Sequence, residues 1–277
     1  MNTIARKDRT AVMQEKYQVV PAQEARQYTL WQILGIWASA ALPMGLIYWA
    51  VMPILIPRVN VEPGFMYLIL ITLGLVWQGV VAFIILRREV KPFTWENLKH
   101  RLWLFTPSNP STRVPSKWLY LWTILLVVLM QAYYRIGVMG WLSEFWVKIL
   151  PFLTPPPYAL IQNLAGPAVG QWWLLGVLAV MIVFNYLVGE ELIFRGILLP
   201  KMNGVFGKWD WIANHILFVM YHLHKIADWP EFLLIDWIFP WATKRFKSYW
   251  VAVILHGTEA LILIVLFPMA IMGLTQK

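Results

Sequence analysis

Residues 171–200 read QWWLLGVLAVMIVFNYLVGEELIFRGILLP, an apolar run interrupted by two adjacent glutamates and an arginine. The run exceeds the roughly 20 residues that an α-helix needs to cross a bilayer. A charged side chain inside hydrocarbon costs about 2.5–3.5 kcal/mol on insertion scales, so such residues face a bundle interior or a water-filled cavity. The stretch therefore predicts a membrane helix whose ionisable residues point into a bundle.

The whole chain has the composition of a membrane protein. Its 277 residues are 60% apolar and 13% charged, with a mean hydropathy of +0.60, whereas soluble domains are about 45–50% apolar and about 25% charged. This composition excludes a soluble globular enzyme, a disordered chain and a collagen-like fibre. The chain has no cysteine, which excludes disulfides, thiol catalysis and cysteine-ligated metals.

The apolar residues fall into runs that follow a polar tail at residues 1–28. We therefore expect an all-α, polytopic transmembrane helical bundle of about seven spans, within a range of six to eight. This membrane domain covers residues 29–277, with its motif-bearing core at about 170–272. The sixth run is too short for a confident crossing, and Pro43 predicts a kink in the first run. The runs lie at about 30–56, 63–86, 117–142, 170–199, 209–223, 232–241 and 249–272.

Basic residues predict how the bundle is oriented in the membrane. Residues 1–28 carry five Lys/Arg and residues 87–117 carry seven, whereas residues 57–62 and 143–168 carry one each. Because Lys and Arg are enriched in cytoplasmic loops, the tail and the 87–117 loop are expected in the cytoplasm. The Pro-rich stretch 143–168 is expected to be an interfacial or re-entrant segment on the far side. The membrane is either the plasma membrane of a prokaryote or an organelle membrane.

The net charge of +9 indicates contact with membrane lipids and cytoplasmic loops, and not with nucleic acid. Within the apolar runs, a small set of ionisable residues remains to be explained, because a chain this apolar would not carry them for packing alone. This set comprises Arg135, Glu190, Glu191, Arg195, His215, His222, His256 and Glu259.

Helix geometry separates the two carboxylates. Glu191 and Arg195 are four residues apart, so they share a helix face and can form an ion pair. Glu190 lies about 100° around the helix from Glu191 and is left unpaired, to project into a polar cavity. A desolvated glutamate can serve as a general base near neutral pH. In an alternative interpretation, both glutamates join one ion-pair network with Arg195 and no chemistry follows.

The histidines are spread over the next runs. His222 follows Phe218 by four residues, so the two rings share a face, and His215 lies on that face too. His224 is about 200° from His222 and is expected at the membrane interface. His256 opens the last run. Each of these histidines alone is also compatible with a satisfied core or interfacial residue.

One glutamate, one histidine from the next run and one from the last run could converge on a water molecule. The glutamate and a histidine would orient and deprotonate it, while another histidine would donate to a developing oxyanion. The same side chains could instead ligate zinc. Because the chain has no His-Glu-x-x-His helix, the metal site is the weaker interpretation, and we expect no cofactor.

These residues resemble the motifs of the CPBP intramembrane proteases, a family that includes the CAAX prenyl endopeptidases and bacterial Abi-type proteins. Glu190-Glu191-Leu-Ile-Phe-Arg195 matches EExxxR, and Phe218-Val-Met-Tyr-His222 matches FxxxH. His256 fits the opening of the third motif, HxxxN or HxxxD. The matching motifs cover residues 189–260, and the N-terminal half shows only membrane character.

The resemblance implies an α-helical intramembrane glutamic endopeptidase that acts on membrane-associated proteins or peptides. In that family the first glutamate, here Glu190, activates water together with the second-motif histidine, here His222. His256 would help to stabilise the oxyanion. The resemblance gives Glu191 and Arg195 supporting roles; Phe218 belongs to the second motif and is also counted as supporting.

The chain departs from the third motif at one position. The family has Asn or Asp four residues after the last histidine, whereas this chain has Ala260, which has no side-chain donor. Thr258 or Asn214 could supply a substitute donor. Glu259 is not a ready substitute, because an ionised carboxylate repels an oxyanion.

Two other functions stay open at the level of sequence. A non-catalytic membrane scaffold, such as an immunity or regulatory protein with the same fold, would explain Ala260. A proton-coupled transporter would use the buried carboxylates as a relay, although the chain shows no inverted repeat.

Overall fold

A computed structural model describes residues 26–136 and 138–275, and this part of the chain is helical with no β-sheet. The predicted all-α bundle is confirmed. Residues 1–25 of the predicted polar tail lie outside the described residues. The helices are α1 (Leu30–Leu55), α2 (Pro63–Glu89), α3 (Trp95–Leu102), α4 (Leu119–Arg135), α5 (Val138–Ile149), α6 (Leu174–Lys201), α7 (Asp210–Tyr221), α8 (Trp229–Ile235), α9 (Ile238–Phe246) and α10 (Tyr249–Ile271).

All the predicted apolar runs form helices, although not all are long enough to cross a membrane. In the described part, α1, α2, α6 and α10 are long and apolar enough, and the bent pair α4 and α5 would make a fifth crossing. The runs at 209–223 and 232–241 form shorter helices, of 12 residues for α7 and 7 and 9 residues for α8 and α9. Arg135 lies exposed at the end of α4, outside the bundle interior.

Pro43, where the sequence predicts a kink, lies inside α1, and a neighbouring helix supplies the hydrogen bond that the proline removes. Proline has no N–H, so the carbonyl four residues earlier, on Ser39, loses its helical partner. The indole Nε1 of Trp77 on α2 donates to that carbonyl at 3.0 Å. A π-helical turn follows at Ile47–Val51.

The motif-bearing helix α6 is irregular on both sides of its glutamates. π-Helical turns run over Phe184–Val188 and Leu192–Leu198, and such turns are frequent at functional sites. Gly189 joins them, and a Cβ at this position would lie 2.1 Å from the carbonyl oxygen of Phe184. Only glycine therefore allows the backbone to fold this closely immediately before Glu190.

The end of α6 is fixed by Arg101 of α3. Pro200 removes the N–H that would bond to the carbonyl of Gly196. Arg101 supplies the missing donors, with Nη1 3.0 Å from Gly196 O and Nη2 3.1 Å from Ile197 O. Its Nε also donates to Glu89 at 2.9 Å, so one guanidinium joins α2, α3 and α6.

Arg101→Lys is expected to lower the free energy of unfolding by about 1.5–3 kcal/mol, since lysine keeps the charge but lacks the planar fork that reaches two carbonyls and a carboxylate. Thermal unfolding in detergent measures the change. Arg88→Lys, at an exposed arginine of α2, is the matched control and should change stability by less than about 0.5 kcal/mol. Equal stability of the two variants would contradict this role of Arg101.

Candidate active site

A cavity of about 400 Å³ lies inside the bundle. Glu190 of α6, His222 at the end of α7 and His256 of α10 all line it. The three side chains are almost fully buried, with exposed fractions of 3%, 5% and 4%. The structure therefore brings the three residues with predicted catalytic roles to one internal space.

Hydrogen bonds from two neighbours fix the Glu190 carboxylate. The hydroxyl of Tyr221 donates to Oε1 at 2.8 Å. With the amide of Asn185 oriented to satisfy its hydrogen bonds, its nitrogen donates to Oε1 and Oε2 at 2.7 and 3.1 Å. Gln78 Nε2 in turn donates to the Tyr221 hydroxyl at 2.7 Å. Glu190 is thus held by neutral donors and makes no ion pair within the described part of the chain.

His222 has one ring nitrogen engaged and one available. Helix α7 ends at Tyr221, and His222 leaves the helical conformation. Its Nδ1 donates to the carbonyl of Phe218 at 2.9 Å, because a carbonyl can only accept. In a neutral imidazole, Nε2 is then the acceptor. His222 is therefore set up to accept a proton from, or to orient, a water molecule in the cavity.

The predicted ion pair between Glu191 and Arg195 is present, with Nη1 3.0 Å from Oε1 and both side chains fully buried. The guanidinium carbon lies 3.8 Å from the centre of the Phe218 ring and 5.3 Å from that of Phe239. The guanidinium nitrogens make no well-aligned hydrogen bond. Charge and aromatic faces therefore hold this arginine.

Glu191 also positions His256. The imidazole Nδ1 donates to Glu191 Oε1 at 3.0 Å, and Nε2 lies 3.7 Å from Glu259 Oε2. The ring packs on Phe239, with centroids 5.2 Å apart. Two carboxylates thus flank one imidazole, and each faces a different ring nitrogen.

The other two histidines differ in their relation to the cavity. His224, expected at the membrane interface, is buried and lines the cavity, just beyond the end of α7. His215, expected on the same helix face as His222, packs against the neighbouring helix α8. Its Nε2 donates to the carbonyl of Leu233 at 3.1 Å, and His215 does not line the cavity.

Neither proposed substitute for the missing third-motif amide reaches the cavity. Asn214 donates to the carbonyl of Phe194 at 2.8 Å, and Thr258 donates to the carbonyl of Leu255 in its own helix. Ala260 lines a separate outer groove between α6 and α10, together with Thr258. The side-chain amide that does line the cavity beside Glu190 is that of Asn185.

Acidic residues outnumber basic residues in the lining of the cavity. Asp228, Asp236 and Glu259 line it, and Lys225 is the lysine among the lining residues. Burial raises the pKa of Asp228. Burial, with the carboxylates of Asp228 and Glu259, raises the pKa of the nearby Glu231 to about 7. Among the described residues, no three or more His, Asp or Glu side chains lie close enough together to hold a metal ion.

Three residues of the hydrogen-bond network at Glu190 were not predicted from the sequence: Asn185, Tyr221 and Gln78. Each is a polar group in an apolar run, which was the available signal. Asn185 lies five residues before Glu190, and Tyr221 stands inside the second motif. Gln78 and Tyr221 are 143 residues apart in the chain, so their contact follows from tertiary packing alone.

Tyr221→Phe is expected to reduce the rate of catalysis at this site about 10–100-fold. The change removes a hydrogen bond to a buried carboxylate, which is worth about 1.5–3 kcal/mol, and leaves Gln78 without its acceptor. Turnover of a membrane peptide measures the effect. Tyr67→Phe is the matched control, because Tyr67 lines the same cavity and has no hydroxyl contact with Glu190 in the described structure. Equal rates for both variants would contradict the positioning role of Tyr221.

Residues 170–262 match the family model described as "Type II CAAX prenyl endopeptidase Rce1-like". The match includes all three predicted motifs, so the resemblance to the CPBP and CAAX proteases is confirmed. Searches of curated proteins and of solved structures found no match to the chain.

Proposed function

On the premise that residues 170–262 are similar to type II CAAX endopeptidases, we propose that Glu190 and His222 activate a water that hydrolyses peptide bonds. The chain is an integral membrane protein, and its similarity to this family supports a CAAX-type intramembrane endopeptidase. Its substrates would be membrane-associated proteins or peptides. The observation that carries the proposal is that Glu190 and His222 line one buried cavity.

The proposed reaction uses only the substrate, one water molecule and the side chains of Glu190, His222 and His256. Glu190 takes a proton from water while His222 Nε2 orients it, and the hydroxide oxygen bonds to the carbonyl carbon. The Nε2–H of His256 donates to the oxyanion, which is worth about 2.7–4 kcal/mol in comparable sites. Glu190 then passes its proton to the leaving amine as the C–N bond breaks, which regenerates the carboxylate.

Each supporting contact serves one of these steps. Tyr221 and Asn185 fix the direction of the Glu190 carboxylate. Glu191 accepts from His256 and fixes the orientation of its imidazole, and Arg195 pairs with Glu191. Phe218 fixes His222 through its carbonyl and packs on Arg195.

Cleavage of candidate membrane peptides by purified protein tests the proposal. Wild type should cleave, Glu190→Ala should not, and a chelator should have no effect if no metal takes part. Loss of activity with chelator would move the mechanism to zinc. Full biological effect of Glu190→Gln in a complementation assay would support the non-catalytic scaffold instead.

We also propose an orientation with the N-terminus in the cytoplasm, supported by the basic residues of the tail and of the 87–117 loop. Membrane lipids would be its constant partners, without a role for nucleic acid. The membrane would be a prokaryotic plasma membrane or an organelle membrane.

A further inference from the structure

One buried carboxylate in the cavity wall has no part in the proposed reaction. Asp236 lies between α8 and α9, lines the cavity and is 4% exposed. Its Oδ1 has no hydrogen-bond partner within the protein, and its carboxylate makes no ion pair among the described residues. Burial of an unpaired carboxylate is costly, because the charge loses the water that would stabilise it. The side chain is therefore free to bind a group that enters the cavity.

The backbone holds Asp236 in place without help from its side chain. The N–H of Asp236 donates to the carbonyl of Phe232 at 2.9 Å, and its carbonyl accepts from the N–H of Phe239 at 3.1 Å. No side chain caps the start of α9, so Asp236 does not have the capping role that is common for aspartate beside a helix. The carboxylate is thus fixed at the cavity wall, and neither helix end uses it.

The cations near Asp236 are committed elsewhere. Arg195 and His256 are close enough to interact with it electrostatically, but both bind Glu191, each at 3.0 Å. Lys225 also lines the cavity, but it forms no ion pair with Asp236 in the described part of the chain. The protein's own charges therefore leave Asp236 without a cation of its own.

A second carboxylate adds to the negative charge at this wall. Glu259 of α10 lines the cavity and interacts electrostatically with Asp236. A wall of this charge favours a cation over a neutral or anionic group. The charged Asp, Glu and Lys side chains of the whole lining are four carboxylates and one ammonium: Glu190, Asp228, Asp236, Glu259 and Lys225.

The arrangement suits an organic cation better than a metal ion. The carboxylates do not converge closely enough for a metal in the described residues. An arginine or lysine side chain has a long apolar stem that can pack on apolar lining residues such as Phe232 and Leu263. A guanidinium also presents several N–H donors, so it can bind two carboxylates that come from different helices.

We propose that Asp236, with Glu259 beside it, binds a positively charged arginine or lysine side chain of the substrate close to the peptide bond that is cleaved. The inference rests on the proposed function and narrows its substrates to membrane-associated proteins or peptides with a basic residue near the cleavage site. The position near the cleaved bond follows from Glu259, whose Oε2 lies 3.7 Å from Nε2 of His256, the proposed oxyanion donor.

Cleavage of matched peptides tests the proposal. Each membrane peptide has a single arginine at one position near the cleaved bond, and its partner has citrulline, the neutral isostere, at that position. At one position at least, wild type should cleave the arginine peptide with a kcat/KM about tenfold higher or more, and Asp236→Asn should reduce this ratio to about two or less. If wild type shows no preference at any position, or if the preference survives Asp236→Asn, the proposal is overturned.

A control variant and a stability measurement separate binding from folding. Asp210→Asn is the matched control, because Asp210 is a buried aspartate that pairs with Lys244 and does not line the cavity. It should keep the arginine preference of wild type. The melting temperature of Asp236→Asn should be no lower than that of wild type, since the change removes a buried charge and no hydrogen bond. A clear drop would show a structural role for Asp236 and would contradict the inference.

A binding measurement separates this inference from the proposed function. In Glu190→Gln the peptide stays intact, so calorimetry in detergent can compare the affinities for the arginine and citrulline peptides. The arginine peptide should bind about tenfold more tightly, and the added change Asp236→Asn should remove the difference. If wild type cleaves no peptide, the proposed function fails, whereas this difference in affinity still decides whether Asp236 binds a cation.

Discussion

Glu190→Gln is expected to lower kcat by about 10²–10⁴-fold, the contribution of a general base to such reactions. Glutamine has nearly the same shape, its carbonyl can still accept from Tyr221, and the Asn185 amide can turn its oxygen toward the new NH2 group, so the change removes mainly basicity. Turnover of a membrane peptide by purified protein in detergent measures the loss.

Two comparisons separate chemistry from folding in that experiment. The melting temperature of Glu190→Gln should stay close to that of wild type. Glu96→Gln, at an exposed glutamate that pairs with Lys99 at 2.6 Å, should retain full turnover. If Glu190→Gln unfolds the protein, or if it cleaves at the wild-type rate, Glu190 is a structural residue and the proposed mechanism is wrong.

Arg195→Met is expected to lower the free energy of unfolding by about 3–5 kcal/mol. Methionine fills much of the same space between the rings of Phe218 and Phe239, but it leaves Glu191 buried without its cation. Breaking a buried ion pair by removal of one partner typically has this cost. Thermal or denaturant unfolding in detergent measures the change.

A double-mutant cycle tests the origin of that loss. Glu191→Gln with Arg195→Met should be more stable than the sum of the two single changes predicts, because no unpaired charge remains. Arg88→Met, at an exposed arginine, should cost less than about 0.5 kcal/mol. Strict additivity, or a small effect of Arg195→Met alone, would show that the ion pair does not stabilise the bundle.

The local part of the site could be predicted because short-range geometry controls it. The four-residue spacing of Glu191 and Arg195 places them together even though α6 is π-helical over Leu192–Leu198. The spacing of Phe218 and His222 likewise places their rings edge to face, with centroids 4.8 Å apart. Apolar run lengths were sufficient to predict the helical class.

The parts of the site that could not be predicted depend on where the chain leaves regular helix and on contacts between residues distant in sequence. The place of His224 in the cavity lining could not be predicted, because the helix ends at Tyr221 and the sequence around it has no glycine or proline to mark that end. The contact of Asn185 with Glu190 depends on the close turn at Gly189. The contact of Gln78 with Tyr221 depends on how α2 packs against α7, which no local pattern contains.

The central claim is that Glu190 and His222 act on one shared water molecule, and the rates of Glu190→Gln, His222→Gln and the double variant test it most directly. If both act on the same water, the double variant should be no slower than the worse single variant, since residues that act as a unit are strongly non-additive. If the two losses multiply, the residues act independently and the claim is contradicted.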